Sequence, residues 1–154
     1  MRKQDLKIVR DHLDQKLEPL KGLASLQPPE QGWVKTLRES MGMSAAQLGA
    51  RAGLHQSRVA RLEAAETQGN LKLSSLKKLA KGLGLKFVYG FVPEESLEDT
   101  VRAQAGKVAR KHMQRLETTM KLEEQGLEPS EGQKALDVLV EKIVNEDIRT
   151  LWNE

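Results

Sequence analysis

Several polar side chains that can hydrogen-bond to nucleic acid bases lie close together near the middle of the chain. They are His55, Gln56, Ser57, Arg58 and Arg61. Glutamine and arginine can each make two parallel hydrogen bonds to a base edge, glutamine to adenine and arginine to guanine. Ser57 is short and can reach a base or a phosphate. This chemistry predicts a surface that reads double-stranded DNA.

Two short helices joined at Gly53 would place these side chains together. The positions that must be buried when two such helices cross are Leu48, Ala52, Leu54, Val59 and Leu62. Gly49 is a small residue where the helices approach, and Gly53 can adopt the positive φ that the turn requires. With the apolar positions buried, the polar residues are left facing outward. We therefore predict a helix-turn-helix from Ser44 to Glu63.

The N-terminal ends of the two helices add a second kind of DNA contact. Ser44 can cap the first helix, and His55 stands at the beginning of the second. Backbone N–H groups at a helix N-terminus can hold a phosphate, so we expect phosphate contacts near both residues. The alternative for His55 is that it only caps its helix. Glu63 is expected to pair internally with a nearby arginine or a helix end.

A segment with β-strand character follows four helical patterns. Residues 85–92 are rich in β-formers, and Phe87, Tyr89 and Phe91 share one face at a period of two. A single strand cannot satisfy its own backbone groups, so it must pair with an unrecognised strand or with the same strand of a second subunit. We favour the second subunit and predict that these three aromatic residues mediate dimerisation.

A narrow stripe of apolar residues runs along a predicted helix from about Gln4 to Glu18, which Pro19 would end or bend. The stripe consists of Leu6, Val9, Leu13, Leu17 and Leu20. Its three- and four-residue spacing fits packing against the rest of the same domain, and it also fits a two-helix seam with a second chain. The spacing alone leaves both partners open.

Two longer helices are predicted at the C-terminal end. The first begins after the capping-box pattern Ser96–Asp99 and continues to about Gln125, and the second begins after Ser130. Their apolar faces are expected to pack as an antiparallel hairpin. The predicted divisions of the chain are an N-terminal helix and linker (1–31), a helix-turn-helix domain with its terminal strand (32–93) and an acidic helical hairpin (94–154).

The charge of the chain is unevenly distributed. Residues 1–90 contain 16 Lys/Arg and 8 Asp/Glu, whereas residues 91–154 contain 9 and 14. The basic part suits a polyanion such as DNA. The acidic part suits a protein partner or a solvated helical face. This division predicts two roles in one chain.

Composition also argues against several classes of protein. The chain has no cysteine, which excludes disulfides and thiolate metal sites. Its three histidines are scattered, and no catalytic triad or phosphate-binding glycine loop is recognisable, so we predict no enzyme, no cofactor and no metal site. No apolar run approaches membrane-spanning length, and we expect no membrane partner and a cytoplasmic location.

Residues 53–63 resemble the Cro/cI-type (xenobiotic-response-element, XRE) helix-turn-helix family, in the run Gly-Leu-His-Gln-Ser-Arg-Val-Ala-Arg-Leu-Glu. Residues 76–84 are similar to the next helix of that family, and the resemblance covers about residues 32–85. Two positions depart from the family pattern. Ala45 stands where a glutamine is common, and Ala64-Ala65-Glu66 replaces a glycine that closes the third helix. The second departure predicts a longer third helix.

Nearly the full length is similar to the family called mobile mystery protein A. The similarity lies in the N-terminal helix, the strand segment and the two C-terminal helices. Members of that family are small regulators carried beside a Fic-domain protein on mobile elements. The resemblance therefore implies an antitoxin-like regulator whose partner is a Fic-domain protein.

Together, these features predict a mainly α fold, with a lambda-repressor-like helix-turn-helix domain, one C-terminal β-strand and an appended helical hairpin. The predicted function is sequence-specific DNA binding in an autorepressing, antitoxin-like regulator of a two-gene module. We expect a homodimer on a palindromic operator, because one recognition helix reads only a few base pairs. The alternative is an antitoxin that neutralises a Fic-type partner through its C-terminal helices, with DNA binding secondary.

Overall fold

A computed structural model describes residues 3–122, 128–146 and 148–153, and most of these residues are helical. The helices are α1 (Lys3–Leu17), α2 (Trp33–Ser40), α3 (Ala45–Ala52), α4 (Gln56–Thr67), α5 (Leu73–Leu83), α6 (Leu97–Leu122) and α7 (Pro129–Glu146), with short 3-10 helices at Glu18–Leu23 and Ile148–Thr150. The described residues divide into two compact units. One is Leu23–Gly90, and the other comprises the residues up to Gly22 and from Phe91 onward. The predicted mainly α fold class is confirmed.

The unit Leu23–Gly90 is built around one apolar core to which α2, α3, α4 and α5 all contribute. Its buried residues are Val34, Leu48, Val59, Leu62, Leu79 and Leu83. Three of the five positions predicted to be buried at the helix crossing belong to this core. The other two, Ala52 and Leu54, are half-buried. The apolar spacing in the sequence thus identified the inner faces of α3 and α4 correctly.

Two glycines make the α3–α4 turn sterically feasible. Gly53 ends α3 in the left-handed conformation, with φ 69° and ψ 34°, which a residue without a Cβ adopts at little cost. Gly49 lies where α3 meets the beginning of the turn, and a Cβ there would stand 2.5 Å from the carbonyl oxygen of Leu54. Both glycines therefore have the roles that the sequence predicted for them.

Gly49→Ala is expected to lower the free energy of unfolding of this unit by about 1–3 kcal/mol, because the added methyl group collides with backbone that cannot move independently. Urea unfolding followed by circular dichroism measures the change. Gly132→Ala in α7 is the matched control, since a Cβ there meets nothing within 4 Å. That variant should gain up to about 1 kcal/mol from helix propensity. Equal effects of the two substitutions would contradict the tight crossing.

The predicted β-strand is wrong for the single chain. Residues 85–93 contain no helix and no strand, and no strand occurs elsewhere in the described residues. The rings of Phe87 and Tyr89 do lie on one side, with centroids 6.2 Å apart and planes inclined by 17°. β-forming residues favour an extended backbone, but a strand also requires a partner for its N–H and C=O groups. Within the described part of the chain, that partner is absent.

The second unit contains α6 and α7, which pack as the predicted antiparallel hairpin. Its buried residues are Val101, Ala105, Ala109, Ile143, Val144 and Leu151. Arg102, near the beginning of α6, donates a hydrogen bond to Glu141, near the end of α7. This hydrogen bond lowers the pKa of Glu141. The predicted end of the first of these helices, at about Gln125, lies outside the described residues.

Helix α1 packs against α6 and α7 in the same unit. The Nε of Arg10 lies 2.8 Å from Oε2 of Glu98. The Oδ1 of Asp14 accepts a hydrogen bond from the backbone N–H of Leu97 at 2.7 Å and so satisfies an open donor at the beginning of α6. Helix α1 therefore packs within its own chain, but Val9 and Leu13 of the apolar stripe remain exposed, so the partner of the stripe itself stays open.

Candidate nucleic-acid interface

Helix α4 separates its apolar and polar residues onto different sides. Its buried residues are Val59, Leu62 and Glu63. Four of its exposed residues are Gln56, Ser57, Arg58 and Arg61. The structure therefore leaves four of the residues predicted to contact DNA accessible to solvent on a single helix. We call these four residues the α4 polar face.

Gln56 and Arg58 are the members of the α4 polar face with unengaged side chains. No hydrogen bond or ion pair joins either side chain to another described residue. Arg61 makes one weak contact, from its Nε to the carbonyl oxygen of Ser57 at 3.4 Å. Side chains without internal partners can turn toward a ligand without breaking a contact in the folded protein. Their donors and acceptors are therefore available to base edges.

His55 and Ser57 are engaged with each other at the beginning of α4. His55 is the N-cap residue, and its Nδ1 accepts the backbone N–H of Ser57 at 3.2 Å. The same nitrogen lies 2.9 Å from the hydroxyl oxygen of Ser57. The capping role that the sequence gave as the alternative for His55 is thus present. Capping uses one ring nitrogen and leaves Nε2 for a phosphate.

Ser44 caps α3 through a reciprocal pair of hydrogen bonds with Gln47. Its hydroxyl oxygen accepts the N–H of Gln47 at 3.1 Å, and its own N–H donates to Oε1 of Gln47 at 2.7 Å. The N–H groups of Ala45 and Ala46 have no described acceptor, as expected in the first turn of a helix. These two donors can hold a phosphate. The side chain of Ala45, which stands where the family often has glutamine, packs against the apolar core of this unit.

A buried ion pair holds α4 against α2. The Nε and Nη2 of Arg38 donate to the two carboxylate oxygens of Glu63 at 2.6 and 3.1 Å, and its Nη1 donates to the carbonyl oxygen of Met43 at 2.8 Å. Arg38 is 8% exposed and Glu63 is 7% exposed. The hydrogen bonds that Arg38 donates to Glu63 raise the pKa of Arg38 above its ordinary value. Glu63 therefore pairs internally, as predicted, and the structure shows that its partner is Arg38.

Glu66 fixes the last turn of α4 to the first turn of α2. Its two carboxylate oxygens accept the backbone N–H groups of Trp33 at 2.8 Å and Val34 at 3.0 Å. The N-cap of α2 is Gly32, which has no side chain to supply such an acceptor. Glu66 can do so because α4 continues to Thr67. The helix that was predicted to be longer because of Ala64-Ala65-Glu66 is α4, and it does continue through these residues.

Comparison with protein families assigns this region. A family model described as helix-turn-helix matches residues 34–89, which include α3, α4, α5 and all but the first residue of α2. Residues 34–89 form a helix-turn-helix domain. Domains of this XRE type bind DNA in regulators and are not normally enzymes. Comparisons with curated proteins and with solved structures give no match, so the resemblance to mobile mystery protein A stays a prediction.

The sequence contained a signal for the arginine that supports the helix-turn-helix domain, although sequence analysis did not single it out. Arg38 follows Val34 by four residues, and Glu63 follows Val59 by the same interval. Residues four apart lie on one side of a helix, so each charged residue occupies a buried face. Two opposite charges on buried faces predict a pair. The role of Glu66 had no comparable signal, because its carboxylate oxygens accept backbone N–H groups of another helix, which no side-chain pattern reveals.

Two other kinds of site are missing from the described residues. Within residues 3–122, 128–146 and 148–153, no group of three or more histidine or acidic side chains can hold a metal ion. Among the same residues, no helix combines the length and apolarity that crossing a bilayer requires.

Proposed function

We propose that this protein is a sequence-specific DNA-binding transcriptional regulator that binds a palindromic operator as a homodimer and represses its own operon. The observation that carries the proposal is the α4 polar face, held outward on a helix-turn-helix domain. Gln56 and Arg58 contact base edges, while Ser57 and Arg61 contact bases or the phosphates beside them. Such a regulator would meet its operator in the cytoplasm.

Two helix ends are proposed to position the domain on the DNA backbone. The N–H groups of Ala45 and Ala46 bind one phosphate, with the hydroxyl group of Ser44 as a further donor. The Nε2 of His55 binds another. Phosphate contacts fix the register of a protein on DNA without reading its sequence. Because Ala45 replaces a glutamine, this clamp relies on the backbone rather than on a long side chain.

A homodimer is proposed because a single recognition helix covers only a few base pairs. Two α4 helices about 34 Å apart would enter successive major grooves on one side of the DNA. A two-fold axis between the copies requires a palindromic operator. Phe87, Tyr89 and Phe91 are the proposed dimerisation residues.

A second candidate function is supported by the unit that contains α6 and α7. Leu116, Val138 and Trp152 are large apolar residues that this unit exposes to solvent. Exposed large apolar residues suit a protein partner when they form one patch. The family resemblance implies a Fic-domain protein as that partner, which would make the regulator an antitoxin that neutralises it through the C-terminal helices.

The salt dependence of operator binding tests the proposed function. An operator is first selected from random double-stranded DNA with the full-length protein, and its affinity is then measured at several salt concentrations. If each domain neutralises three or more phosphates, affinity should fall by about 10³-fold or more between roughly 50 and 200 mM salt. Failure to enrich any sequence, or an affinity that is insensitive to salt, would contradict the proposal.

A further inference from the structure

The segment that follows the helix-turn-helix core exposes several large apolar side chains in a row. Phe91 is 81% exposed, Val88 is 71% exposed and Tyr89 is 66% exposed. Isolated exposed apolar residues are ordinary, but a contiguous group is typical of a surface that another molecule covers. The segment is therefore a candidate interface.

The backbone of the same segment is unpaired. The N–H and C=O groups of residues 86–92 form no hydrogen bond with another described residue. The adjoining N–H of Leu85 is already used, since it donates to the carbonyl oxygen of Ala80 at 2.8 Å. At the other end, Pro93 has no N–H to donate. Between these two residues, free donors and acceptors are available for pairing with another strand.

An apolar groove lies beside the first half of this segment. It has a volume of about 360 Å³ and is lined by apolar side chains that include Trp33, Leu76, Leu83, Phe87 and Val88. Charged side chains contribute to the lining only through Glu66 and Lys86. The carboxylate of Glu66 is already satisfied by two backbone N–H groups of α2. The groove therefore suits an apolar side chain rather than a charged ligand.

We propose that residues 85–93 pair antiparallel with the same segment of a second copy, with Tyr89 opposite Tyr89 on the two-fold axis. In this register Phe87 lies opposite Phe91 of the other copy. Because Phe87 lines the groove, Phe91 of the second copy enters it. Two grooves are filled by two symmetry-related phenylalanines. This pairing presupposes the proposed homodimer and names the surface through which it forms.

The hydrogen-bonding groups at the two ends of the segment fit this register. Antiparallel pairs alternate between positions that exchange two hydrogen bonds and positions that exchange none. When Tyr89 is a non-hydrogen-bonded position, so are Leu85 and Pro93, which face each other across the two copies. A non-hydrogen-bonded position needs no N–H for the pairing. This suits both residues, because the N–H of Leu85 is already used and Pro93 has none. The aromatic residues then also occupy non-hydrogen-bonded positions, where cross-strand side chains approach most closely.

Disulfide cross-linking of the full-length protein tests the register. The chain has no cysteine, so a single substitution reports only on its own position. Non-hydrogen-bonded partners have Cα atoms about 4.5 Å apart, which a disulfide can span. Tyr89→Cys should therefore cross-link into a dimer under mild oxidation. Val88→Cys is the control. In this register Val88 of one copy lies diagonally from Val88 of the other, about 7–8 Å away, and should stay uncross-linked.

The groove is tested separately by equilibrium sedimentation. Phe91→Ala should raise the dimer dissociation constant at least tenfold, roughly the effect of removing an interface anchor. Val138→Ala, an exposed valine of α7 that is not among the residues lining the groove, should leave it nearly unchanged. A monomeric wild-type protein, cross-linking of Val88→Cys in place of Tyr89→Cys, or equal effects of the two alanine variants would each overturn the pairing.

Operator binding distinguishes failure of the dimer surface from failure of the proposed function. If the wild-type protein binds an operator but Tyr89→Cys does not cross-link, the dimer forms elsewhere and the register is wrong. If Tyr89→Cys cross-links and no DNA is bound, the register is supported and the proposed function fails.

Discussion

Glu63→Ala is expected to reduce the free energy of unfolding of the helix-turn-helix domain by about 3–5 kcal/mol. The substitution leaves Arg38 buried with a positive charge and two unpaired donors, and burial of an unpaired charge is among the most destabilising changes in proteins. Because most domains are stable by only about 5–15 kcal/mol, a large fraction of the molecules should unfold well below the melting temperature of the wild type. Thermal and urea unfolding followed by circular dichroism measure the loss.

Two controls separate the buried pair from a general effect of charge. Glu39 also lies near Arg38, at 3.6 Å, but its side chain is half exposed. Glu39→Ala should therefore change stability by less than about 1 kcal/mol. Arg38→Met combined with Glu63→Leu should recover most of the stability lost in Glu63→Ala, because no charge is left unpaired. Similar losses in all three variants would show that the pair has no special role.

Replacing Gln56 and Arg58 together with alanine is expected to weaken operator binding by about 2–6 kcal/mol for each half-site, which corresponds to roughly 30- to 10⁴-fold per half-site. Each residue is proposed to make a bidentate contact with a base, and each such contact contributes about 1–3 kcal/mol of discrimination. Stability should change by no more than about 0.5 kcal/mol, because neither side chain has a partner among the residues that the structure describes. Fluorescence anisotropy with a labelled operator measures the affinity.

The matched control is Gln114→Ala with Arg115→Ala on α6. Each double variant removes one amide group and one guanidinium group, and all four substituted residues are exposed. If the control weakens operator binding as much as the α4 variant, loss of charge rather than loss of base contacts is responsible. The α4 variant also separates the two candidate functions, since an antitoxin that acts through its C-terminal helices would still capture its Fic-type partner.

Features that depend on neighbouring residues were predictable from the amino-acid sequence, whereas features that need a distant partner were not. The α3–α4 turn was predictable because Gly49, Gly53 and the apolar positions around them lie within about 20 residues, and their steric requirements act between neighbours. The strand was not predictable in the same way. Phe87 and Tyr89 do lie on one side, as the period of two predicts, but strand formation depends on a pairing partner that the residues of the segment do not specify.

The amino-acid sequence by itself determined the helices and which residues of α4 are buried or exposed, because periodicity and backbone sterics are properties of neighbouring residues. Only the tertiary structure decided which helices meet. Arg38 and Glu63 are separated by 25 residues, and Arg10 and Glu98 by 88. A charged residue or a leucine stripe fits many partners equally well until the packing of the whole chain brings one of them within contact distance.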